Sequence, residues 1–245
     1  MSEFYNEYYR DMDERFIRWR EITGRIKAKN IIRISRCMRF SSVIEVGCGT
    51  GIILKTLSEK NFADKFYGSD ISEPALEYVR RQEINGLIEA KRGDALNVPY
   101  GDKMFDLAIL SHILEHLDDP ATAIGEAKRI ARQVVIEVPL EENIIRKIRV
   151  ILWRLLKRNL AALPERKIGH IRFFNRRSAL QLAVSCGLIL ERSQRIFLPP
   201  KIHFFNARTR VQKIKAAAKV VLQGITRISG IPLITVHFIM LCRSD

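Results

Sequence analysis

The chain has 245 residues and a formal net charge of +15, and 47% of its residues are hydrophobic. This length suits one α/β domain with additions, and the apolar fraction is sufficient for a sizeable core. No run of about 20 apolar residues could span a bilayer, and the charged, aromatic N-terminus lacks the apolar segment of a signal peptide. The four cysteines show no C-x-x-C spacing. We therefore expect a cytoplasmic protein without a structural zinc site or a disulfide framework.

The first 40 residues carry aromatic side chains at helical intervals, which predicts a helical segment ahead of the main domain. These side chains are Phe4, Tyr5, Tyr8, Tyr9, Phe16 and Trp19. A helix packed on the domain and a segment that covers a binding site are both compatible with this pattern.

A glycine-rich turn follows the first predicted strand. Residues 43–51 read VIEVGCGTG, with glycines at alternate positions and an amphipathic segment, residues 52–60, behind them. This pattern predicts strand, tight turn and helix, and the glycines let a ligand approach the backbone closely. Dinucleotide-binding turns read G-x-G-x-x-G and seat a pyrophosphate. Here the carboxylate of Glu45 would repel a diphosphate and favour a ligand that carries an ammonium or sulfonium group, although a glycine turn without a ligand remains the alternative.

Four further predicted strands follow, and the first four of the five strands each end in a polar or glycine-rich element. The second, residues 65–68, leads to Asp70, which is placed either to hold a ribose diol or to cap the next helix. Asp94 follows the third strand, which begins at Leu87, and Ser111 follows the fourth, residues 105–110. The fifth strand covers residues 134–139. Ligands of open α/β sheets bind outside these carboxyl ends.

In order and spacing, these segments resemble the class I S-adenosylmethionine-dependent methyltransferases, from Ser41 to about Leu190. The matching motifs are VIEVGCGTG, GSDIS, RGDALNVPYGDKMFDLAILSHILEHLDDP and GHIRFFNRRSALQLAVSCGLIL. The resemblance implies a Rossmann-like, doubly wound α/β sheet of seven strands over residues 41–245, with an antiparallel last strand and helical additions. It also implies a lid formed by residues 1–40 and S-adenosylmethionine as the cofactor. It assigns the cofactor to Glu45, Gly47, Cys48, Gly49, Asp70, Ile71, Asp94, Ala95 and Ser111.

The candidate catalytic residues are two histidines. His116 is a candidate general base because its ordinary pKa lies near neutrality. His170 is the second candidate, with a purely structural role as the alternative. His112 opens an H-x-x-E-H pattern like that of some zinc proteases, but the pattern follows a sheet strand here. Some relatives of the family bind a divalent ion through E-x-x-E-H, and because His112 replaces the first Glu, we predict no metal ion; imidazole would favour softer ions than Mg²⁺.

The positive charge is concentrated in the second half of the chain. Residues 41–140 carry 11 Lys and Arg against 16 Asp and Glu, whereas residues 141–245 carry 21 against 5. Two segments there predict basic amphipathic helices, an insertion at about 141–165 and a helix at about 211–228. The first suits a membrane interface or packing over the active site, and the smaller side chains of the second favour packing on the sheet. The last strand is expected at residues 233–241.

The predicted function is methyl transfer to an O or N atom of a small-molecule or lipid-linked acceptor. The broad aliphatic faces beside the cations favour an anionic membrane surface, such as the inner membrane, over nucleic acid as a further partner. An RNA-modifying methyltransferase and a cofactor-binding protein without activity remain alternatives, and the sequence does not indicate an oligomeric state.

Overall fold

The computed structural model describes residues 2–36, 38–141, 144–155, 169–205, 207–229 and 236–244. The strands are β1 (Phe40–Val46), β2 (Ala63–Asp70), β3 (Leu87–Arg92), β4 (Phe105–Ser111), β5 (Ala131–Leu140), β6 (Leu188–Ile196) and β7 (Val236–Ser244). The helices are α1 (Ser2–Arg10), α2 (Glu14–Ser35), α3 (Ile52–Ser58), α4 (Glu73–Arg81), α5 (Pro120–Ile130), α6 (Ile144–Leu155), α7 (Arg176–Ser185), α8 (Pro200–Phe205) and α9 (Arg210–Ser229).

The strands form one seven-stranded sheet in the order β3-β2-β1-β4-β5-β7-β6. Strands β1 to β5 pair in parallel, whereas β7 lies antiparallel between β5 and β6. The strand order reverses between β1 and β4, which is the position where open α/β sheets bind ligands. The predicted fold class, a doubly wound sheet with an antiparallel last strand, is confirmed.

The central strands are buried on both faces because helices cover both sides of the sheet. The inner residues of β4 and β5 are almost continuously apolar, as expected for parallel strands between two helical layers. Glu137 interrupts this run in the middle of β5 and is fully buried. Glu137 lies beside Ser111, the last residue of β4.

The two basic segments form helices that expose large apolar side chains. On α9, Ile214, Val221 and Ile228 are 61%, 61% and 90% exposed, while the buried seam of the helix consists of Ala216, Gln223 and Thr226. The prediction that the apolar side chains of this helix pack on the sheet is therefore wrong. Residues 156–165 of the predicted insertion and residues 233–235 of the predicted last strand lie outside the described residues.

None of the helices in the described ranges combines the length and the apolar character needed to cross a membrane.

Candidate active site

The glycine turn after β1 has the backbone geometry that only glycine adopts at low cost. Gly47, Gly49 and Gly51 have φ values of 75°, 50° and 69°, in the left-handed region where a Cβ is unfavourable. The N–H groups of Gly47 and Cys48 donate to the carbonyl of Ser69, at 2.7 and 3.0 Å. The turn is therefore fixed against the end of β2 and curves around the carboxyl edge of the sheet.

Asp70 connects the same turn to the start of α4. Its Oδ2 accepts a hydrogen bond from the N–H of Gly49 at 2.7 Å, and its Oδ1 accepts one from the N–H of Ser72 at 2.9 Å. Burial raises the pKa of this carboxyl, although both backbone donors and Arg20 act in the opposite direction. Asp70 is thus part of the framework of the turn as well as a candidate ligand residue.

Glu45 is the second-last residue of β1 and occupies a buried position. It is only 2% exposed, and its Oε2 accepts no hydrogen bond from the described residues. Burial raises its pKa to about 8, against the opposing charges of Lys27 and Arg20. A buried carboxyl oxygen without a donor is costly, so this position suits a ligand that brings a positive charge or an N–H group.

These residues share a cavity of ≈ 210 Å³ at the carboxyl edge of β1, β2 and β4. Of the residues predicted to contact the cofactor, it is lined by Glu45, Gly47, Cys48, Asp70, Ile71, Asp94, Ala95 and Ser111. Gly49 is not in the lining, because the phenol of Tyr9 and the guanidinium of Arg20 cover it; a Cβ at Gly49 would lie 2.6 Å from the Tyr9 hydroxyl oxygen.

Helices α1 and α2 provide the outer wall of the cavity. Phe4, Tyr5, Tyr8 and Tyr9 line it from α1. Arg20 donates to the hydroxyl of Tyr9 at 3.1 Å, and the hydroxyl of Ser72 donates to the carbonyl of Tyr5 at 3.3 Å. The N-terminal segment therefore covers the carboxyl ends of the strands.

Sequence reasoning missed Arg20 and Lys27, which both line the cavity from α2. Burial lowers the pKa of Lys27, whereas Glu137, Glu115 and Glu45 act to raise it. The available signal was their spacing, because Arg20, Gly24 and Lys27 lie on one face of a helix.

The two candidate catalytic histidines lie together at one side of the cavity. Their rings are 4.8 Å apart, edge to face, but only His116 belongs to the lining. Nδ1 of His116 lies 3.1 Å from the carbonyl oxygen of Gly169. A carbonyl only accepts, so Nδ1 carries the proton and Nε2 of the neutral ring carries a lone pair. Burial lowers the pKa of His116, which favours this neutral form.

His170 stands behind His116 and is held by a carboxylate. Its Nδ1 lies 2.8 Å from Oε2 of Glu141. Burial lowers the pKa of His170, but the hydrogen bond and charge of Glu141 outweigh burial, so that its pKa is raised. The pair thus contains one ring suited to accept a proton and one suited to carry positive charge.

Known proteins are similar in sequence to part of this chain. Residues 44–134 match the family described as "Methyltransferase domain". A demethylmenaquinone methyltransferase of Lactiplantibacillus plantarum is 32% identical over 95 residues, which cover 37% of this chain and 40% of that protein. A malonyl-[acyl-carrier protein] O-methyltransferase of Hahella chejuensis is 26% identical over 166 residues, covering 65% of this chain and 55% of that protein. The chain thus spans only about half the length, or less, of these relatives.

Similar solved structures extend over almost the entire chain. The protein bound to the Trm112 methyltransferase activator of Haloferax volcanii matches 98% of this chain and 97% of its own, with a TM-score of 0.66 and 15% identity. The [4+2]-cyclase SpnF matches 90% of this chain and 80% of its own, with a TM-score of 0.60 and 14% identity. At such identities the likeness shows the fold alone.

Taken with the sheet order and the glycine turn, the family match identifies the domain. Residues 44–134 belong to a methyltransferase domain of the class I, S-adenosylmethionine-dependent type, and the resemblance predicted from the sequence motifs is confirmed.

Proposed function

We propose that the protein transfers the methyl group of S-adenosylmethionine to an O or N atom of a small-molecule or lipid-linked acceptor. The observation that carries this proposal is the arrangement of Glu45, Asp70 and Asp94. These three carboxylates follow or end three neighbouring strands and line one cavity beside the glycine turn.

The side chains suit the successive parts of the cofactor. The unpaired oxygen of Glu45 and the turn at Gly47 suit the ammonium end, while the guanidinium of Arg20 at the same end suits a carboxylate. Asp70, at the end of β2, suits a ribose diol. Asp94 uses Oδ1 to accept the N–H of Leu96 at 2.9 Å, which leaves Oδ2 for the amine of an adenine ring.

The bound cofactor supplies an activated methyl group on a sulfonium. The residues of this chain align the acceptor and exclude water, which alone can lower a barrier by several kcal/mol. For a hydroxyl acceptor, Nε2 of His116 would take up the hydroxyl proton as the methyl group is transferred to the oxygen. His170 and the carbonyl of Gly169 position that imidazole.

The acceptor side of the cavity is rich in aromatic and apolar side chains. Its lining includes Phe4, Tyr5, Tyr8, Ile113 and Leu117. Such walls favour an acceptor with a planar or aliphatic body. The names of the relatives point to a demethylmenaquinone and an acyl-carrier-bound malonyl group as their acceptors, which supports a small or carrier-linked acceptor rather than RNA.

The exposed face of α9 supports a membrane surface as the place of action. Its sequence contains five Lys or Arg and no Asp or Glu, and its exposed apolar side chains lie beside those cations. On α6, Ile148, Ile151 and Leu155 are also exposed. A helix with this combination suits an interface with anionic lipid, so we include such a surface in the proposal.

Methyl transfer is tested by adding purified protein and deuterated-methyl cofactor to an extract of the cells from which the chain comes. Mass spectrometry should find the label in a lipid or small-molecule product, and His116→Ala should reduce the label strongly. Label in RNA would replace the proposed acceptor class with the nucleic-acid alternative. If no fraction is labelled although the cofactor binds, the protein is a cofactor-binding protein without this activity.

Membrane binding is tested by flotation with phosphatidylglycerol or phosphatidylcholine vesicles. The protein should float only with the anionic vesicles. Combined Lys215→Glu and Lys219→Glu should release it, since each cation near such a surface contributes about 1 kcal/mol, and combined Ile214→Ser and Val221→Ser should weaken it.

The same charge reversals made at Lys60 and Lys65, which are exposed in the cofactor half, are the matched control and should leave flotation unchanged. RNA binding would respond to charge but not to the apolar changes. If the apolar changes leave flotation unchanged, or if the Lys215/Lys219 and Lys60/Lys65 charge reversals have the same effect, the membrane surface is wrong.

A further inference from the structure

Two imidazoles and a carboxylate meet at the end of β4, although they are far apart in the sequence. His112 follows β4, Glu137 lies in β5 next to Ser111, and His237 lies at the start of antiparallel β7. Nε2 of His112 lies 3.2 Å from Nδ1 of His237 and 4.0 Å from Oε1 of Glu137, and the two latter atoms are 3.5 Å apart. The register of three strands therefore brings three donor atoms to one point.

The carboxylate of this cluster has one oxygen without a hydrogen bond. Glu137 is fully buried. Its Oε2 accepts the hydroxyl of Ser111 at 3.0 Å, whereas its Oε1 accepts no hydrogen bond from the described residues. The Lys27 ammonium, which interacts with Glu137 at longer range, donates none to it either. A buried carboxylate oxygen in this state is expensive, and a cation between the three donor atoms would satisfy it.

The two imidazoles are also better explained by a shared cation than by a hydrogen bond alone. A neutral pair can place only one proton between Nε2 of His112 and Nδ1 of His237. The nearer of these nitrogens to Oε1 of Glu137 is Nδ1 of His237, at 3.5 Å, which is long for an N–H···O hydrogen bond. Ligand atoms that bind one tetrahedral ion at 2.0–2.1 Å lie about 3.3 Å apart. The three observed separations, between 3.2 and 4.0 Å, bracket this value.

The groups around the cluster are those that commonly orient metal ligands. Nδ1 of His112 lies 3.1 Å from Oε1 of Glu115, a contact that lacks hydrogen-bond geometry, and both oxygens of Glu115 are otherwise unpaired. Ligating histidines often have a carboxylate beside their other ring nitrogen, and ligating carboxylates are themselves hydrogen-bonded, as Glu137 is by Ser111.

We propose that His112, Glu137 and His237 bind a divalent transition-metal ion, of which Zn²⁺ is the representative. Two imidazoles and one carboxylate suit Zn²⁺ or Fe²⁺, whereas Mg²⁺ and Ca²⁺ prefer oxygen ligands. Three protein ligands leave a coordination position open to water or to an oxygen of the acceptor, and His112 lines the cavity. The prediction of no metal from the H-x-x-E-H pattern would then fail, because two of the ligands lie outside that pattern. The proposal does not depend on methyl transfer, since the ion binds without cofactor or acceptor.

The nearest rival for such an ion is the neighbouring cluster of Glu115, His116 and His170. Glu115 is close to both clusters, so its replacement would not separate them. Replacing His237 or His170 does distinguish the two clusters, because each histidine belongs to one cluster only. Both are replaced by Asn, so the two variants undergo the same chemical change.

The test uses the full chain without a histidine tag, stripped with EDTA and titrated with Co²⁺ while the visible d–d absorption is recorded. One Co²⁺ should bind per chain, and one equivalent of Zn²⁺ should displace it. Glu137→Gln and His237→Asn should each weaken Co²⁺ binding by at least about 100-fold. Replacing a residue that only contacts a ligand costs up to about 100-fold in metal affinity, and the loss of a ligand itself should cost no less. His170→Asn is the matched control and should bind Co²⁺ as the wild type does.

Circular dichroism of each variant separates the loss of a ligand from the loss of the fold, and Glu137→Gln keeps the shape of the side chain. If the wild-type protein binds no stoichiometric Co²⁺ or Zn²⁺, the proposal is overturned whatever the variants do. It is also overturned if Co²⁺ binding survives both Glu137→Gln and His237→Asn. Loss of binding in His170→Asn in that case would assign the ion to the neighbouring cluster.

Discussion

The buried carboxyl of Glu45 leads to a prediction about both stability and cofactor binding in the variant Glu45→Gln. In the folded protein without ligand, burial raises the pKa of Glu45 from 4.5 to about 8. A shift of this size corresponds to a cost on the order of 5 kcal/mol for holding the ionised carboxylate at high pH, at about 1.4 kcal/mol per pKa unit. Three charged groups face Glu45. Lys27 and Arg20 lower its pKa, and Asp70 raises it.

The sign follows from the direction of the shift. Because the folded-state pKa is above the unfolded-state pKa, the protonated carboxyl contributes its full share of stability below pH 4.5, and this share is lost as the pH rises to about 8. Glu45→Gln has no such loss. We expect urea denaturation to find the variant increasingly more stable than the wild type between pH 5 and pH 8.5, in the absence of cofactor.

Cofactor binding should show the opposite effect. The ammonium of the cofactor favours the ionised carboxylate, so the wild-type protein should release close to one proton from Glu45 on binding at pH 7. Calorimetry in buffers with different ionisation enthalpies measures this release. Glu45→Gln should release fewer protons and should bind about 1–3 kcal/mol more weakly. Equal affinity and equal proton release in the two proteins would refute the role assigned to Glu45.

Two further predictions concern the candidate site. Asp70→Ala should weaken cofactor binding by about 1–3 kcal/mol, since a charged acceptor for the ribose and for the N–H of Gly49 is lost; calorimetry with unchanged affinity would remove Asp70 from the site. His116→Ala should lower turnover by about 100-fold with nearly unchanged cofactor affinity, and steady-state kinetics with a raised KM alone would instead assign His116 to acceptor binding.

The sequence was sufficient to predict the features of the fold that depend on neighbouring residues. The glycine turn could be predicted because positive φ values at alternate positions restrict the choice to glycine, and the run of apolar strands predicted the parallel half of the sheet. The polar residues at the strand ends, such as Asp70, could be placed together because the carboxyl ends of parallel strands share one edge.

Features that depend on distant pairs could not be predicted in this way. Glu137 and His237 are 100 positions apart in the chain, and only the antiparallel register of β7 brings them together. The available signal was the charge of Glu137 within an otherwise apolar strand, because such a residue is rarely buried without a partner. Arg20 was missed because its spacing to Gly24 and Lys27 indicates a shared helix face but does not show what that face packs against.

The exposed apolar face of α9 was also not predicted, because amphipathic spacing does not reveal which face meets the protein. A helix with small residues on one side can bury that side and expose the larger residues, as Ala216 and Ile214 do here. Periodicity therefore predicted the helix but not its orientation.

The most direct test of the cofactor assignment is isothermal titration of the full chain with S-adenosylmethionine, S-adenosylhomocysteine and NAD. An ammonium group stabilises the ionised form of Glu45, so Glu45 and the G-x-G-x-G turn favour a ligand with an ammonium group, which NAD does not carry. We predict binding of one S-adenosylmethionine or S-adenosylhomocysteine per chain and no measurable binding of NAD. Tight binding of NAD, or the absence of binding by both sulfur compounds, would contradict the account.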